Sequence, residues 1–249
     1  MHADFDLDSR KACVLARPLA CGAARFVALG LLFFLVACTY APGDVANPLT
    51  RKFTWLSFLG GDDIRAACAA GAPDRFRLIY NGTWRTQVRI YELGFAGPRT
   101  LEERVIGPGE LFEISFENPL APWRGATSTI TLPPDRYDQL VRRLGQSGAF
   151  RTPSSTLTLH STAYYWVAAT CHGGMFHLTG WLYPSVAFSQ MTFPQELQAV
   201  DRSKVPFSIP GPAVTPPLGT ADNPARGSHS ATNWSIGIAQ DRLVDQVIF

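Results

Sequence analysis

The chain has 249 residues, with 22 Lys plus Arg against 20 Asp plus Glu, and 46% of its residues are apolar. That near-balance, with the arginines scattered along the chain, argues against the clustered basic face that nucleic-acid binding requires. The length suits one folded domain with an appendage.

The first segment with a pattern is Phe26 to Ala37 (FVALGLLFFLVA), an unbroken apolar run of 12 residues preceded by Arg10, Lys11, Arg17 and Arg25. Charge followed by an apolar run is the order of an export signal. A membrane-spanning helix needs about 20 apolar residues, so this run is too short to span. It closes on Leu35-Val36-Ala37-Cys38: a leucine, a pair of small or apolar residues, then a cysteine. These four positions resemble the lipobox of bacterial lipoproteins. The resemblance implies cleavage before Cys38, lipid attached to its thiol, and a membrane partner held through that lipid. Non-acidic Thr39 resembles the family's pattern for the outer membrane, facing the periplasm; the alternative address is the periplasmic side of the inner membrane. The acids Asp4, Asp6 and Asp8 depart from the family's signals and point to a start nearer Val14.

The first 37 residues hold four of the 22 basic and three of the 20 acidic residues, so the mature domain keeps 18 against 17 and is nearly neutral. Cys13 and Cys21 leave with the signal and Cys38 carries lipid, so Cys68 and Cys171 remain. Two cysteines in an oxidising compartment point to one disulfide, with two buried thiols as the other reading. Such a bond closes a loop of about a hundred residues and contributes on the order of 4 kcal/mol.

Residues 38–52, with two prolines and a glycine, read as a lipidated tether, and the folded domain as residues 53–204. Asp62 and Asp63 open a short helix ending near Gly71, in which Cys68 falls four residues after Ile64 on the same face. From Asp74 the period shifts to two. Two strands flank Asn81-Gly82, a strong hairpin dipeptide, and a second pair, LEERVI and ELFEISF, flanks Gly107-Pro108-Gly109, with Phe112, Ile114 and Phe116 on one face. A strand at ATSTITL follows. Pro133-Pro134 then opens an amphipathic helix with Tyr137, Leu140, Val141 and Leu144 at helical spacing.

Strands resume at SSTLTLH, and the best-defined hairpin is AYYWVAATCH, Gly173-Gly174, MFHLTGWLYP. A two-residue turn pairs His172 with Met175, Cys171 with Phe176 and Thr170 with His177. One face then carries Tyr165, Val167, Ala169, Cys171, Phe176, Leu178 and Leu182, a core surface. The other carries the aromatics Tyr164, Trp166, Trp181 and Tyr183 together with His172, Met175 and His177. Residues 205–249 read as a proline-rich arm followed by an apolar C-terminal segment.

Chemistry is sparse. The chain lacks GxSxG, HExxH, P-loop, GxGxxG and CxxC signatures, which weighs against an enzyme. His172, Met175 and His177 share a face near the hairpin tip, and thioether with imidazole suits copper. Tyr164, Trp166, Trp181 and Tyr183 form a candidate interface, unless the helix at 134–146 or the C-terminal arm packs over them. The expected fold is α+β, a mainly antiparallel sheet of six to eight strands with two short helices. The expected function is a binding or scaffolding subunit of an envelope complex, with an envelope protein as partner. The alternatives are a small-ligand or copper-binding lipoprotein using the 164–183 hairpin face and, third, an envelope hydrolase.

Overall fold

In the computed structural model the described residues are 48–83, 86–107, 126–211 and 234–248. The chain divides at Cys38 into two units, and all of these residues belong to the second, Thr39–Phe249. The fold is α+β and mainly antiparallel. A six-stranded sheet has the order β4-β3-β2-β1-β6-β7, built from β1 (Arg75–Gly82), β2 (Val88–Leu93), β3 (Thr100–Ile106), β4 (Ala126–Thr131), β6 (Tyr164–His172) and β7 (Met175–Leu182). A three-stranded sheet has the order β5-β8-β9, with β5 (Leu157–His160), β8 (Trp234–Ala239) and β9 (Arg242–Ile248). Five helices accompany them among the described residues: α1 (Pro48–Gly60), α2 (Asp62–Ala69), α3 (Pro134–Gln146), α4 (Val186–Ser189) and α5 (Phe193–Val200).

Both faces of the large sheet are covered, which explains why β1 and β6 are nearly continuous in buried residues rather than alternating. On the first face Ile79, Val167, Ala169 and Leu178 pack against Phe58 and Leu59 of α1, Ile64 of α2, and Leu159, Ile236 and Ile238 of the small sheet. On the second face Leu78, Tyr91, Trp166 and Trp181 pack against Leu140 and Leu144 of α3 and Phe193 and Leu197 of α5. No helix among the described residues is long and apolar enough to cross a membrane.

Several sequence expectations are corrected here. Helix α1 begins at Pro48, a residue suited to a helix start, so residues 48–52 belong to the fold rather than to the tether. Asn81-Gly82 is not the turn. Both residues lie in β1, paired with Tyr165 and Tyr164 of β6, and the chain reverses beyond them, where Thr83 adopts φ 56° and Gln87 O accepts the Gly82 N–H. Strand β3 has β2 and β4 on its two edges over 101–105, and ELFEISF, with Phe112, Ile114 and Phe116, lies outside the described residues. The apolar C-terminal segment, whose composition suits docking on its own domain or on a partner, docks on its own domain. It forms β8 and β9, and β8 pairs with β5 from within the domain.

Candidate functional site at the β6–β7 hairpin

Gly173 (φ 57°) and Gly174 (φ 77°) both take left-handed backbone, the geometry of a two-residue turn whose twist matches that of the flanking strands. That turn sets the register: His172 pairs with Met175, Cys171 with Phe176, Thr170 with His177 and Trp166 with Trp181. Cys171 faces the first core, and its sulfur bonds to that of Cys68 at 2.05 Å, with 5.6 Å between the Cα atoms. The bond joins α2 to β6. Cys38 lies outside the described residues.

At the tip, the register of β1 against β6 places Arg75 opposite Cys171 and so brings Asp74 beside His172. The Asp74 carboxylate is held at both oxygens. Oδ2 lies 2.6 Å from His172 Nδ1, and Oδ1 accepts the Gly173 N–H at 3.0 Å. The Phe150 ring stacks on the imidazole at 4.3 Å, and Phe76 lies 6.0 Å away. Met175, opposite, is 63% exposed.

His177 belongs to a different neighbourhood. Its buried Nδ1 lies 3.5 Å from Asp241 Oδ1, too long for a hydrogen bond, and that oxygen already accepts the Leu178 N–H at 3.1 Å. Asp241 sits in the β8–β9 turn, where its Oδ2 accepts from the Thr152 hydroxyl and its carbonyl from Arg65. The structure therefore keeps His172 and Met175 together at the tip but turns His177 to a second carboxylate. Among the described residues no three His, Cys, Asp or Glu side chains are grouped as a metal site.

The aromatic face is not an open platform. Trp166 and Trp181 are 1% and 3% exposed, and Phe193 of α5 packs on both, with ring centroids at 5.1 and 5.3 Å. The indole N–H of Trp181 donates to Ser147 O at the end of α3. Tyr164 and Tyr183 meet edge to face at 6.2 Å and are half-buried. Covering the face removes two large indoles from water, a gain of several kcal/mol at about 25 cal/mol per Å². Phe193 is the residue that sequence reasoning missed, although Phe193-Pro194-Gln195-Glu196 carries an early proline and acid, a helix-start signal.

Two buried arginines were also not foreseen. Arg77, on the first face, donates to both oxygens of Asp63 at 2.8 Å, to Glu92 Oε1 at 2.8 Å and to Phe58 O, and lies 3.8 Å over the Phe58 ring. Arg89, on the second face, donates to Gln87, Glu103, Asp201, Ser203 and the carbonyl of Val205. Gln87 adds a bond to Pro206 O and accepts the Ser208 N–H, while Tyr80 donates to Ser208 O and stacks on Phe207 at 4.6 Å. Residues 201–208 are thereby strapped to the sheet, so the first part of the proline-rich arm is tied down. Burial, with Asp201 alongside, pushes the Glu103 carboxyl above its ordinary range. For Asp201, burial acts upward, but hydrogen bonds from Ser203 and Glu103 bring it below the ordinary range.

On the first face of β2–β4 a small polar cleft is lined by Glu92, Glu102, Arg104, Thr127 and Thr129. No known protein family, no curated protein and no solved structure matches the chain.

Proposed function

We propose that this chain is a bacterial lipoprotein, anchored by lipid on Cys38, whose domain serves as a binding or scaffolding subunit of an envelope complex. The observation that carries this reading is Leu35-Val36-Ala37-Cys38 closing a short apolar run behind basic residues. A further feature supports it: the Cys68–Cys171 bond suits a domain that folds in an oxidising compartment. Thr39 in place of an acid favours the outer membrane, facing the periplasm.

A lipid anchor confines a domain to two dimensions, which favours stable association with a neighbour over diffusive encounter. The geometry adds to this, since the aromatic face that a ligand platform would need is closed by α5. The test is the mass of the detergent-solubilised protein after chemical cross-linking in intact cells. A single discrete adduct, of fixed stoichiometry and lost in the Cys38→Ser variant, supports the reading. An uncross-linked monomer that turns over an envelope substrate contradicts it in favour of the hydrolase.

A further inference from the structure

We propose that His172 and Met175 hold a Cu(I) ion at the tip of the β6–β7 hairpin, with Asp74 as the residue that positions the imidazole. The inference is independent of lipid anchoring and rests on four observations at one place. The register sets His172 and Met175 directly opposite each other, where Cβ atoms on one face lie roughly 4.5–5.5 Å apart. Asp74 takes Nδ1 of His172 and is itself fixed by the Gly173 N–H, so the ring is oriented by a carboxylate, as metal-binding histidines commonly are. The Phe150 ring stacks against one face of the imidazole. Nε2 has no hydrogen-bond partner among the described residues.

In the tautomer that donates from Nδ1 to Asp74, the lone pair that a metal takes is on Nε2. Met175 supplies what the imidazole lacks. Methionine ordinarily fills gaps in cores, yet here it is 63% exposed beside a turn where it fills none. Its three rotatable bonds let the sulfur swing onto an ion that the rigid imidazole holds. A thioether is a soft donor with little to offer Zn(II), Mg(II) or Ca(II), whereas Cu(I) prefers it and accepts low coordination numbers. The ion binds without change of oxidation state.

His177 is not a ligand. Its buried Nδ1 faces Asp241 on another element, which separates this site from one built on all three side chains.

The test is anaerobic competition for Cu(I) against bicinchoninate, using the full chain with Cys13→Ser, Cys21→Ser and Cys38→Ser to remove competing thiols and the Cys68–Cys171 bond intact. The expected result is withdrawal of one equivalent of Cu(I). Met175→Leu and His172→Gln each abolish it, Asp74→Asn weakens it by about tenfold, and His177→Gln retains it. Folding of each variant is checked by its near-ultraviolet circular dichroism. For Met175→Leu, whose side chain is largely in solvent, failure to fold is not expected. No withdrawal by the parent chain, or withdrawal unchanged in both Met175→Leu and His172→Gln, overturns the proposal.

Discussion

Removing Arg89 leaves the carboxylates of Glu103 and Asp201 facing each other with the cation between them gone. Breaking a buried ion pair in this way costs about 3–5 kcal/mol, because the charges left behind stay desolvated. Arg89→Met is therefore expected to lower the urea-unfolding free energy by that amount. Arg136→Ala, which removes a 3.8 Å pair with Glu196 at the surface, changes it by no more than about 0.5 kcal/mol. The same cluster gives the domain a pH signature. Folding raises the Glu103 pKa, so the folded chain holds that proton more tightly and stability falls as pH rises from the group's ordinary 4.5 through the raised value. Asp201 has the opposite sign: its contribution is complete above its ordinary 3.8 and is lost as pH falls through the lowered value. Glu103→Gln carries no titrating group there. Its stability relative to wild type should rise as pH climbs above the group's ordinary 4.5 and level off once the raised value is passed, measured as urea midpoints against pH. A constant difference contradicts the assignment. Neither buried arginine was legible in the sequence, because a charged residue in an alternating strand looks like a solvent-facing one until its partners arrive from α2 or the strap.

The β6–β7 hairpin is the element whose sequence specifies it most completely. Two consecutive glycines between aromatic and β-branched runs define the turn, the turn defines the register, and the register defines both faces. Gly174→Ala places a Cβ in open space but at φ 77°, so it should cost about 1–2 kcal/mol of backbone strain alone. Gly61→Ala, between α1 and α2, adds collision to strain, because the new Cβ lies 2.4 Å from that of Ala169 at φ 66°. Its expected cost is larger, about 3 kcal/mol or more, and thermal melts of the two variants distinguish these cases. Where the local signal misled, a non-local pairing had won. Asn81-Gly82 carries the stronger turn chemistry, yet β6 pairs with β1 through Gly82 and holds both residues extended. Likewise, nothing within residues 234–248 announces that their partner is β5, more than seventy positions earlier. Cover for the aromatic face came from α3, as its apolar stripe allowed, and from α5, whose start signal was present but lay outside any strong apolar period.

At the scale of the whole molecule, the Cys68–Cys171 bond spans 103 residues of sequence and fastens α2 to the sheet it covers. Constraining a loop of that length is worth about 4–5 kcal/mol in the chain-entropy model, so Cys68→Ala with Cys171→Ala should lose stability on that order in urea. This bond was legible because two independent patterns agreed: helical spacing put Cys68 on the Ile64 face, and the hairpin register pointed Cys171 into the same core. The fold class was legible for a similar reason, since period-two runs and short turns dominate the chain. Activity was not, because no motif fixes a reaction and the chemistry at the hairpin depends on Asp74, a residue unremarkable in sequence. The proposed function stands on lipid at Cys38. Intact-mass and N-terminal peptide mass spectrometry of the protein extracted from bacterial membranes tests it most directly. A chain beginning at Cys38 and carrying a diacylglyceryl group on its thiol is the expected result; an unmodified Cys38, or a chain that retains Phe26 to Ala37, contradicts it.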